Sequence, residues 1–259
     1  MKGCLKLSVD FKESRSYVKD LYFSAPFKVM NVSPRKSLKL DLMMMSSSPG
    51  MLDQDEYQVD ISLAQNSWLN LFNQAYQRIY PSVTGTLQDQ VFRLGKNSTL
   101  VYLATPLVPH QSAQFTGKTS VYLEDNATLI MGEIITRGRK NQEHPFAFHL
   151  LKLDVVVIFE GDGLIFKEKQ HLAPNEVSLS QMGLYDTFTH QASLYIFNNH
   201  WDHITLTAEL LEILNGYPGL SAGVTSSWKY GTIVKVLGTK AEELVNLLNK
   251  LKEQIVQRI

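Results

Sequence analysis

Short segments in which apolar and polar side chains alternate dominate the first 200 residues. Val, Ile, Tyr and Phe are common in these segments, and Gly, Pro, Asn and Asp separate them. Glu160-Gly161-Asp162-Gly163 predicts a hairpin turn, because glycine adopts positive φ without steric cost. The pattern predicts strands at Leu5–Phe11, Lys28–Val32, Tyr57–Leu63, Leu100–Leu103, Ser120–Leu123 and Asp154–Phe159. We therefore expect a mainly β protein.

A seven-residue pattern, Leu-x-x-Asn-(Ser/Ala)-x-Leu, occurs three times in this β region. Its asparagines are Asn66, Asn97 and Asn126, which lie 31 and 29 residues apart. Asn suits a tight turn because it tolerates the left-handed region of backbone space. Recurrence at about 30 residues predicts stacked β-units whose leucines share one core. We expect β-helix-like layered sheets, with three coincident hairpins as the alternative.

The last 59 residues, 201–259, have a different pattern. Apolar positions at helical spacing predict a helix over Thr205–Leu214 that ends at Asn215-Gly216, and two short strands follow between Gly223 and Leu237. An amphipathic helix is predicted over Thr239–Ile259, with Thr239 and Glu242 as a capping box. We expect a single domain over 1–259, with residues 1–200 mainly β and 201–259 a small C-terminal α/β portion, helix-strand-helix in order.

Composition narrows the classes of function. The chain has 259 residues, with 25 basic and 25 acidic side chains, so it lacks the basic excess of a dedicated nucleic-acid binder. Cys4 is its single cysteine, which excludes an internal disulfide and a thiolate zinc finger. The first residues contain no apolar stretch typical of a signal peptide, and no apolar run is long enough to span a bilayer. We expect a cytoplasmic protein.

One region is purely acidic although the chain is neutral. No Lys or Arg occurs from Leu40 to Gln77, and a Pro-Gly turn leads into Asp53, Asp55 and Glu56. The spacing does not fit a calcium-binding loop, because Gly at position six and Glu at position twelve are missing. A weak divalent-metal site, a catalytic carboxylate pair, a docking patch and a solvated turn remain open.

Two other segments contain chemistry-bearing side chains. Glu133 is followed by Arg137-Gly138-Arg139, and paired guanidinium groups suit carboxylate docking or fixed ion pairs. His200-Trp-Asp-His203 has metal-ligand spacing, with His190 upstream, but it also fits a solvated loop between a strand and a helix.

Several of these segments, in this order, resemble the UreD family of urease accessory proteins, called UreH in some bacteria. Gln54, Gln77 and Pro106 depart from the residues usual in that family, which are Gly, Lys and Glu. The resemblance covers about Phe23 to His190 and is looser beyond. Its matching segments are Ser48-Pro49-Gly50-Met51-Leu52-Asp53-Gln54-Asp55, Gln74-Ala75 with Arg78-Ile79-Tyr80, Ser112-Ala113-Gln114-Phe115, Glu133 with Gly138-Arg139, and Tyr185-Asp-Thr-Phe-Thr-His190.

The resemblance implies a non-enzymatic scaffold with a mainly β fold. Such a protein binds apo-urease and a helical UreF-type partner, which recruits a nickel-loaded UreG-type GTPase, and the assembled complex can be a dimer. The resemblance implies no tightly bound cofactor, no nucleic-acid or membrane partner, and nickel in transit through an internal passage.

Residue roles follow from that resemblance as expectations. Carboxylates that pass a divalent cation must bind it weakly enough to release it. The residues expected to guide nickel are Asp55, Glu56 and Glu133, and those expected to bind partners are Gln74, Arg137, Gly138 and Arg139. The alternative is a β-solenoid carbohydrate-active enzyme that uses Asp53, Asp55 or Glu56.

Overall fold

The computed structural model describes residues 1–139 and 144–259, which fold into two large β-sheets and two helices. One sheet has seven strands and the other has ten. In spatial order, the seven-stranded sheet contains β14 (Gly163–Leu172), β13 (Leu150–Phe159), β11 (Gln114–Leu123), β8 (Thr86–Leu94), β5 (Glu56–Leu63), β1 (Lys2–Lys12) and β2 (Arg15–Phe23).

The ten-stranded sheet faces the first across a shared core. Eight of its strands form a continuous path, and two short strands join beside it. In spatial order, the path contains β16 (Ser221–Ser226), β17 (Gly231–Gly238), β15 (His190–Phe197), β12 (Thr128–Ile135), β9 (Thr99–Leu103), β6 (Trp68–Asn73), β4 (Leu40–Ser46) and β3 (Phe27–Asn31), and the added strands are β7 (Gln77–Ile79) and β10 (Leu107–Pro109). The fold is mainly β, as the alternation predicts.

The centre of each sheet is parallel and the margins are antiparallel. Strands β1, β5, β8, β11 and β13 run parallel in the first sheet, and β4, β6, β9 and β12 run parallel in the second. Strands β2, β14, β15, β17, β16 and β3 pair antiparallel at the margins. The chain alternates between the two sheets at the centre, which confirms the β-helix-like arrangement.

The repeated Asn turns connect one sheet to the other. Asn66, Asn97 and Asn126 have φ of 64°, 55° and 53°, the left-handed conformation that Asn tolerates better than most residues. Asn97 Nδ2 donates to Asn66 Oδ1 (3.1 Å), and Asn126 Nδ2 donates to Asn97 Oδ1 (2.9 Å). Asn198, from the loop after β15, extends this Asn ladder by donating to Asn126 Oδ1 (3.2 Å). The turns are therefore stacked, and the alternative of three separate hairpins is wrong.

The leucines of the repeat form continuous rows inside the protein. Leu63 and Leu123 both lie in register with Leu94, and Leu69 and Leu129 both lie in register with Leu100. All six are at most 3% exposed, so the rows lie in the core between the sheets.

Two helices cover the outer face of the ten-stranded sheet and create a second apolar core. They are α1 (His203–Asn215) and α2 (Ala241–Val256), and their buried leucines pack on Ile130, Ile134 and Leu194. None of the helices in the described ranges is long and apolar enough to cross a membrane.

The predicted end of α1 at Asn215-Gly216 is confirmed, whereas the start of α2 differs from the sequence prediction. Helix α2 begins at Ala241 with Lys240 as its N-cap, and no side chain caps it, so the predicted Thr239–Glu242 capping box is wrong. Thr239 Oγ1 lies outside the helix, because its neighbour in sequence, Gly238, still pairs with His190 in the sheet. Gly216 ends α1 with φ of −72° and not in the left-handed conformation common for C-terminal glycine.

Candidate functional site

The acidic turn before β5 is fastened by its own carboxylates. Asp55 is 3% exposed, and its carboxylate accepts from the ammonium group of Met1 (2.6 Å) and the N–H of Leu52 (2.8 Å). Asp53 Oδ1 accepts from the N–H groups of Thr84 and Gly85, at 2.9 Å each. These bonds use Asp53 and Asp55 to fix the backbone of the turn.

Glu56 lies beside Asp55 but faces solvent. Its carboxylate pairs with the exposed Lys2 ammonium at 2.9 Å. Neither of the two cavities described below is lined by Asp53, Asp55 or Glu56. The carboxylates proposed for a carbohydrate-active enzyme therefore face neither of these two cavities.

The Ser-Pro-Gly part of the turn packs tightly against the strand β7. A Cβ atom built on Gly50 would lie 2.5 Å from the backbone oxygen of Arg78, closer than real Cβ atoms approach. The next residue, Met51, forms a parallel bridge to Ile79. Gly50 is thus required for the close approach that aligns β7.

Glu133 lies on the other side of the core, on the inward face of β12. Met131 and Ile135, two residues away in each direction, belong to the core between the sheets, so strand alternation directs Glu133 inward as well. Burial raises the pKa of Glu133 to about 7, although the Lys235 ammonium acts in the opposite direction. Glu168 adds to the rise by its own negative charge. A carboxyl with a pKa near neutrality can exchange charge during function.

A polar network surrounds the Glu133 carboxylate. Tyr195 Oη donates to Glu133 Oε2 (3.4 Å), and Lys235 Nζ donates to Tyr195 Oη (3.3 Å) and to Ser193 Oγ (2.8 Å). Lys235 also forms an ion pair with Glu168. Two carboxylates, a phenol and an ammonium group thus meet between the sheets.

A small cavity of about 50 Å³ adjoins Glu133 and is large enough for a few water molecules. Gln90 Nε2, from the lining of this cavity, is buried and has no hydrogen-bond partner among the described residues. Such atoms usually indicate bound water or another polar ligand. Polar side chains that line this interior cavity are Gln77, Gln88, Gln90, Tyr102, Thr105, Thr119, Glu133 and Asp154.

Polar side chains lie both beside this interior cavity and beside the acidic turn. Gln77 Nε2 donates to Gln88 Oε1 (2.6 Å) and approaches Met51 Sδ (3.3 Å). Tyr57 Oη lies 3.4 Å from Asp55 Oδ2, on the buried side of β5. Asp55 and Glu133 are therefore not one site but lie at separate positions of the same interior.

A second, larger cavity lies on the outer surface formed by β7, β10 and the end of β12. Arg78 is in register with Val108, and the N–H of Thr136 donates to Leu107 O (3.0 Å), so these strands lie side by side. Because Ile79 and Leu107 are buried, alternation turns Arg78 and Val108 outward. These outward residues form the floor of a cleft of about 1010 Å³, which we call the basic cleft.

Basic side chains surround this cleft. Its lining contains Tyr76, Arg78, Tyr80, Val108, His110, Thr136, Arg137, Gly138, Arg139, Thr189, His190, Thr239, Lys240, Ala241 and Glu242. Burial lowers the pKa of His110, and the charges of Arg139 and Arg78 lower it further. Burial and Arg137 lower the pKa of His190 to about 4. Both imidazoles are therefore neutral at pH 7, and the guanidinium and ammonium groups provide the charge.

The Arg137-Gly138-Arg139 segment, which follows β12, lines this cleft. Gly138 has φ of 113° and is buried, so glycine is needed there for backbone conformation. Arg137 and Arg139 line the cleft on either side of it. Gln74 is exposed before β7, where its N–H donates to Met44 O (3.0 Å), and it is not part of the cleft lining. Of the four predicted partner-binding residues, three thus lie together.

The His200-Trp-Asp-His203 segment has a structural role. Asp202 caps α1 by accepting from the N–H groups of Ile204 and Thr205. The ring of His203 bonds Asn198 O (2.8 Å) and Thr232 Oγ1 (2.9 Å). The structure therefore confirms that this segment is a loop between a strand and a helix. Among the residues that the structure describes, no group of three His, Cys, Asp or Glu side chains is arranged to hold a metal ion.

Comparison with known proteins identifies the family of this chain. The family profile described as UreD urease accessory protein matches residues 1–259. The chain belongs to the UreD family. A urease accessory protein UreD of Flavobacterium johnsoniae is 34% identical over 97% of this chain and 91% of its own length. One from Acetivibrio thermocellus is 29% identical over 93% and 96%, and the urease accessory protein UreH of Helicobacter pylori is 26% identical over 95% and 92%.

Sequence reasoning missed most of the basic cleft in this UreD-family chain. Arg78, His110 and Lys240 are far apart in sequence, and β7 and β10 have three residues each, too few to show a period. Tyr195, Lys235 and Glu168 around Glu133 were missed as well. Strands β15 and β17 lie beside β12 in one sheet, whereas β14, which carries Glu168, belongs to the other sheet across the core. A Lys in the apolar strand β17 was the available signal.

Proposed function

We propose that this chain is a non-catalytic scaffold of urease maturation that guides nickel ions toward apo-urease. The observation that carries the proposal is the Glu133 carboxyl, held inside the protein with a pKa of about 7 beside an interior cavity. Family membership supports the urease role, because the related proteins are named urease accessory proteins.

The chemistry of the interior suits passage of a cation better than storage. The oxygen atoms of Glu133, Tyr102 and the glutamines line the cavity, and thiolate or imidazole ligands do not join them in the described residues. Oxygen ligands hold a late first-row divalent ion less tightly than Cys or His ligands do. Nickel is thus the cargo, and Glu133 is a weak, transient ligand that releases it.

The Lys235 ammonium gives Glu133 an alternative counter-charge when nickel is absent. Lys235 bonds Glu168 and Tyr195, and its charge favours the ionised form of Glu133. A nickel ion entering the cavity would replace this partner, so the carboxylate is not left unpaired before or after the ion passes.

A scaffold also needs surfaces that bind its partner proteins. We propose that Arg137, Gly138 and Arg139, with Gln74 nearby, contact an accessory protein of the UreF type, through which a UreG-type GTPase joins. Apo-urease is the final partner, and the proposed setting is the cytoplasm. Asp55 keeps its proposed place at the acidic end of the interior, where it also holds the turn together, whereas the proposed role of Glu56 would place the ion at the surface beside it.

The test is Glu133→Gln in cells that express urease with its accessory proteins. The substitution keeps the side-chain shape and hydrogen bonding but removes the negative charge. We expect nickel content and urease activity to fall roughly tenfold, with co-purification of urease and partners unchanged. Asp89→Asn is the matched control, because Asp89 lies on β8 next to Gln88 but faces solvent. Normal nickel content in Glu133→Gln would refute the role of this carboxylate.

A further inference from the structure

The basic cleft has the features of a binding site for anions. Arg78, Arg139 and Lys240 are exposed around it, and none of them forms an ion pair within residues 1–139 and 144–259. Charges that a fold does not pair internally, and that gather around a concave surface, create a positive potential there. Because the chain as a whole has a net charge of zero, this group of basic side chains is a local excess of positive charge.

The N-terminus of α2 adds to the positive potential of the cleft, whereas the two histidines carry no charge and Glu242 opposes it. His110 and His190 are neutral, with their pKa values lowered in part by the nearby guanidinium groups. The first turn of α2 also borders the cleft at Ala241, and no side chain caps its free N–H groups. The positive end of a helix dipole favours an anionic group at this position. Glu242 is the acid in the lining, and its charge acts on Tyr76.

We propose that the basic cleft binds an acidic peptide segment of a partner protein. This inference rests on the proposed scaffold role, since it concerns how the scaffold recognises a partner. Guanidinium groups bind carboxylates through paired hydrogen bonds, which matches Arg78 and Arg139 to Asp or Glu side chains.

Size and apolar surface favour a peptide over a small anion. A volume of about 1010 Å³ exceeds what a single phosphate or carboxylate fills. Tyr76, Tyr80 and Val108 provide apolar surface between the charged groups, and the Tyr80 ring packs edge-on to His110 with centroids 4.7 Å apart. Tyr and Arg together are typical of protein–protein contact regions.

The experiment is titration of the full chain with fluorescein-labelled hexaglutamate, followed by fluorescence polarisation. The cleft variant is Arg78→Ala/Arg139→Ala/Lys240→Ala. The matched control is Lys6→Ala/Lys118→Ala/Lys152→Ala, which removes the same charge from exposed positions on the seven-stranded sheet. We expect the Kd of the cleft variant to rise roughly tenfold or more, from three charge-assisted contacts, and that of the control to change less than about twofold.

Three results would overturn the proposal. They are no hexaglutamate binding by the unmodified chain, equal weakening in both triple variants, and tighter binding of a single-stranded oligothymidylate than of hexaglutamate at the cleft. Urease maturation is measured separately in cells. If urease matures normally without this chain, the scaffold role fails while the peptide titration still decides the cleft.

Discussion

Glu133 should destabilise the folded protein at neutral and alkaline pH. Its ordinary pKa is 4.5, and burial raises it to about 7 in the folded chain. Between these two values the folded state holds a proton that the unfolded state has released. Stability therefore falls as the pH rises from 4.5 to 7, and the full loss persists above pH 7. Replacing Glu133 with Gln removes this loss.

The size of the effect follows from the gap between the two pKa values. At about 1.4 kcal/mol per pH unit, a rise from 4.5 to about 7 corresponds to about 3 kcal/mol. The adjoining cavity can hold water that solvates the carboxylate, so this is the upper end of the expected gain. For a chain of this length, 3 kcal/mol corresponds to roughly 6–12 °C in Tm.

The assay is thermal unfolding of Glu133→Gln and the unmodified chain from pH 5 to pH 8. The quantity to compare is the difference in Tm between the two proteins at each pH, because His190 affects the stability of both with the opposite pH dependence. Its pKa is lowered to about 4, so its contribution to stability is lost as the pH falls from 6.5 to 4. That term is common to both proteins and cancels. We expect a small Tm difference at pH 5, where the loss has only begun, and a difference of several degrees at pH 8.

Glu168→Gln is the matched control from the same network. Its carboxylate pairs with Lys235, so its removal should lower the free energy of unfolding at pH 8 by an amount typical of a partly exposed ion pair, about 1 kcal/mol. Equal or lower stability of Glu133→Gln at pH 8 would refute the reasoning, because it would mean that Lys235 compensates fully for burial. A destabilising carboxyl at this position is what the proposed role of Glu133 in nickel transfer predicts.

Two further predictions concern the turns. Asn97→Ala should lower the free energy of unfolding by about 1–3 kcal/mol, because Asn97 has φ of 55° and bonds to two neighbouring asparagines. Asn97→Gly should lower it less, because glycine adopts the left-handed conformation freely. Equal losses of stability for the two variants in chemical denaturation would contradict the role of the left-handed turn. Gly50→Ala should lower stability by about 1–3 kcal/mol, since its Cβ would lie 2.5 Å from Arg78 O, whereas Gly219→Ala, with nothing within 4 Å, should change thermal unfolding little.

The stacked turns could be predicted from the sequence, but the interior site could not. Asn66, Asn97 and Asn126 recur at a nearly constant interval, and a local turn preference produces that signal without tertiary information. The partners of Glu133 lie up to 102 residues later, at Lys235, and sequence alone does not give the register of their strands. Thr239 illustrates the opposite failure, in which a local capping pattern was overridden because β17 continues to Gly238.

The roles of the acidic residues show why residue type alone is ambiguous. Asp55 and Glu56 are neighbours of similar chemistry, yet strand alternation buries one and exposes the other. Their separation depends on where β5 begins, and sequence patterns locate strand ends poorly. The pairing of Asp55 with Met1, 54 residues earlier, likewise follows from the parallel register of β1 and β5.

The number of stacked coils fixes the length of the protein along the stacking direction. Each coil that ends in an Asn turn advances the chain by one strand spacing, about 4.8 Å. Strands β5, β8, β11 and β13 are consecutive in the seven-stranded sheet, so β5 and β13 are three spacings, or about 14 Å, apart. Inserting or deleting one unit of about 30 residues would change this length by one spacing while preserving the local chemistry of each turn. The distance between the two ends of the interior is therefore counted in whole coils.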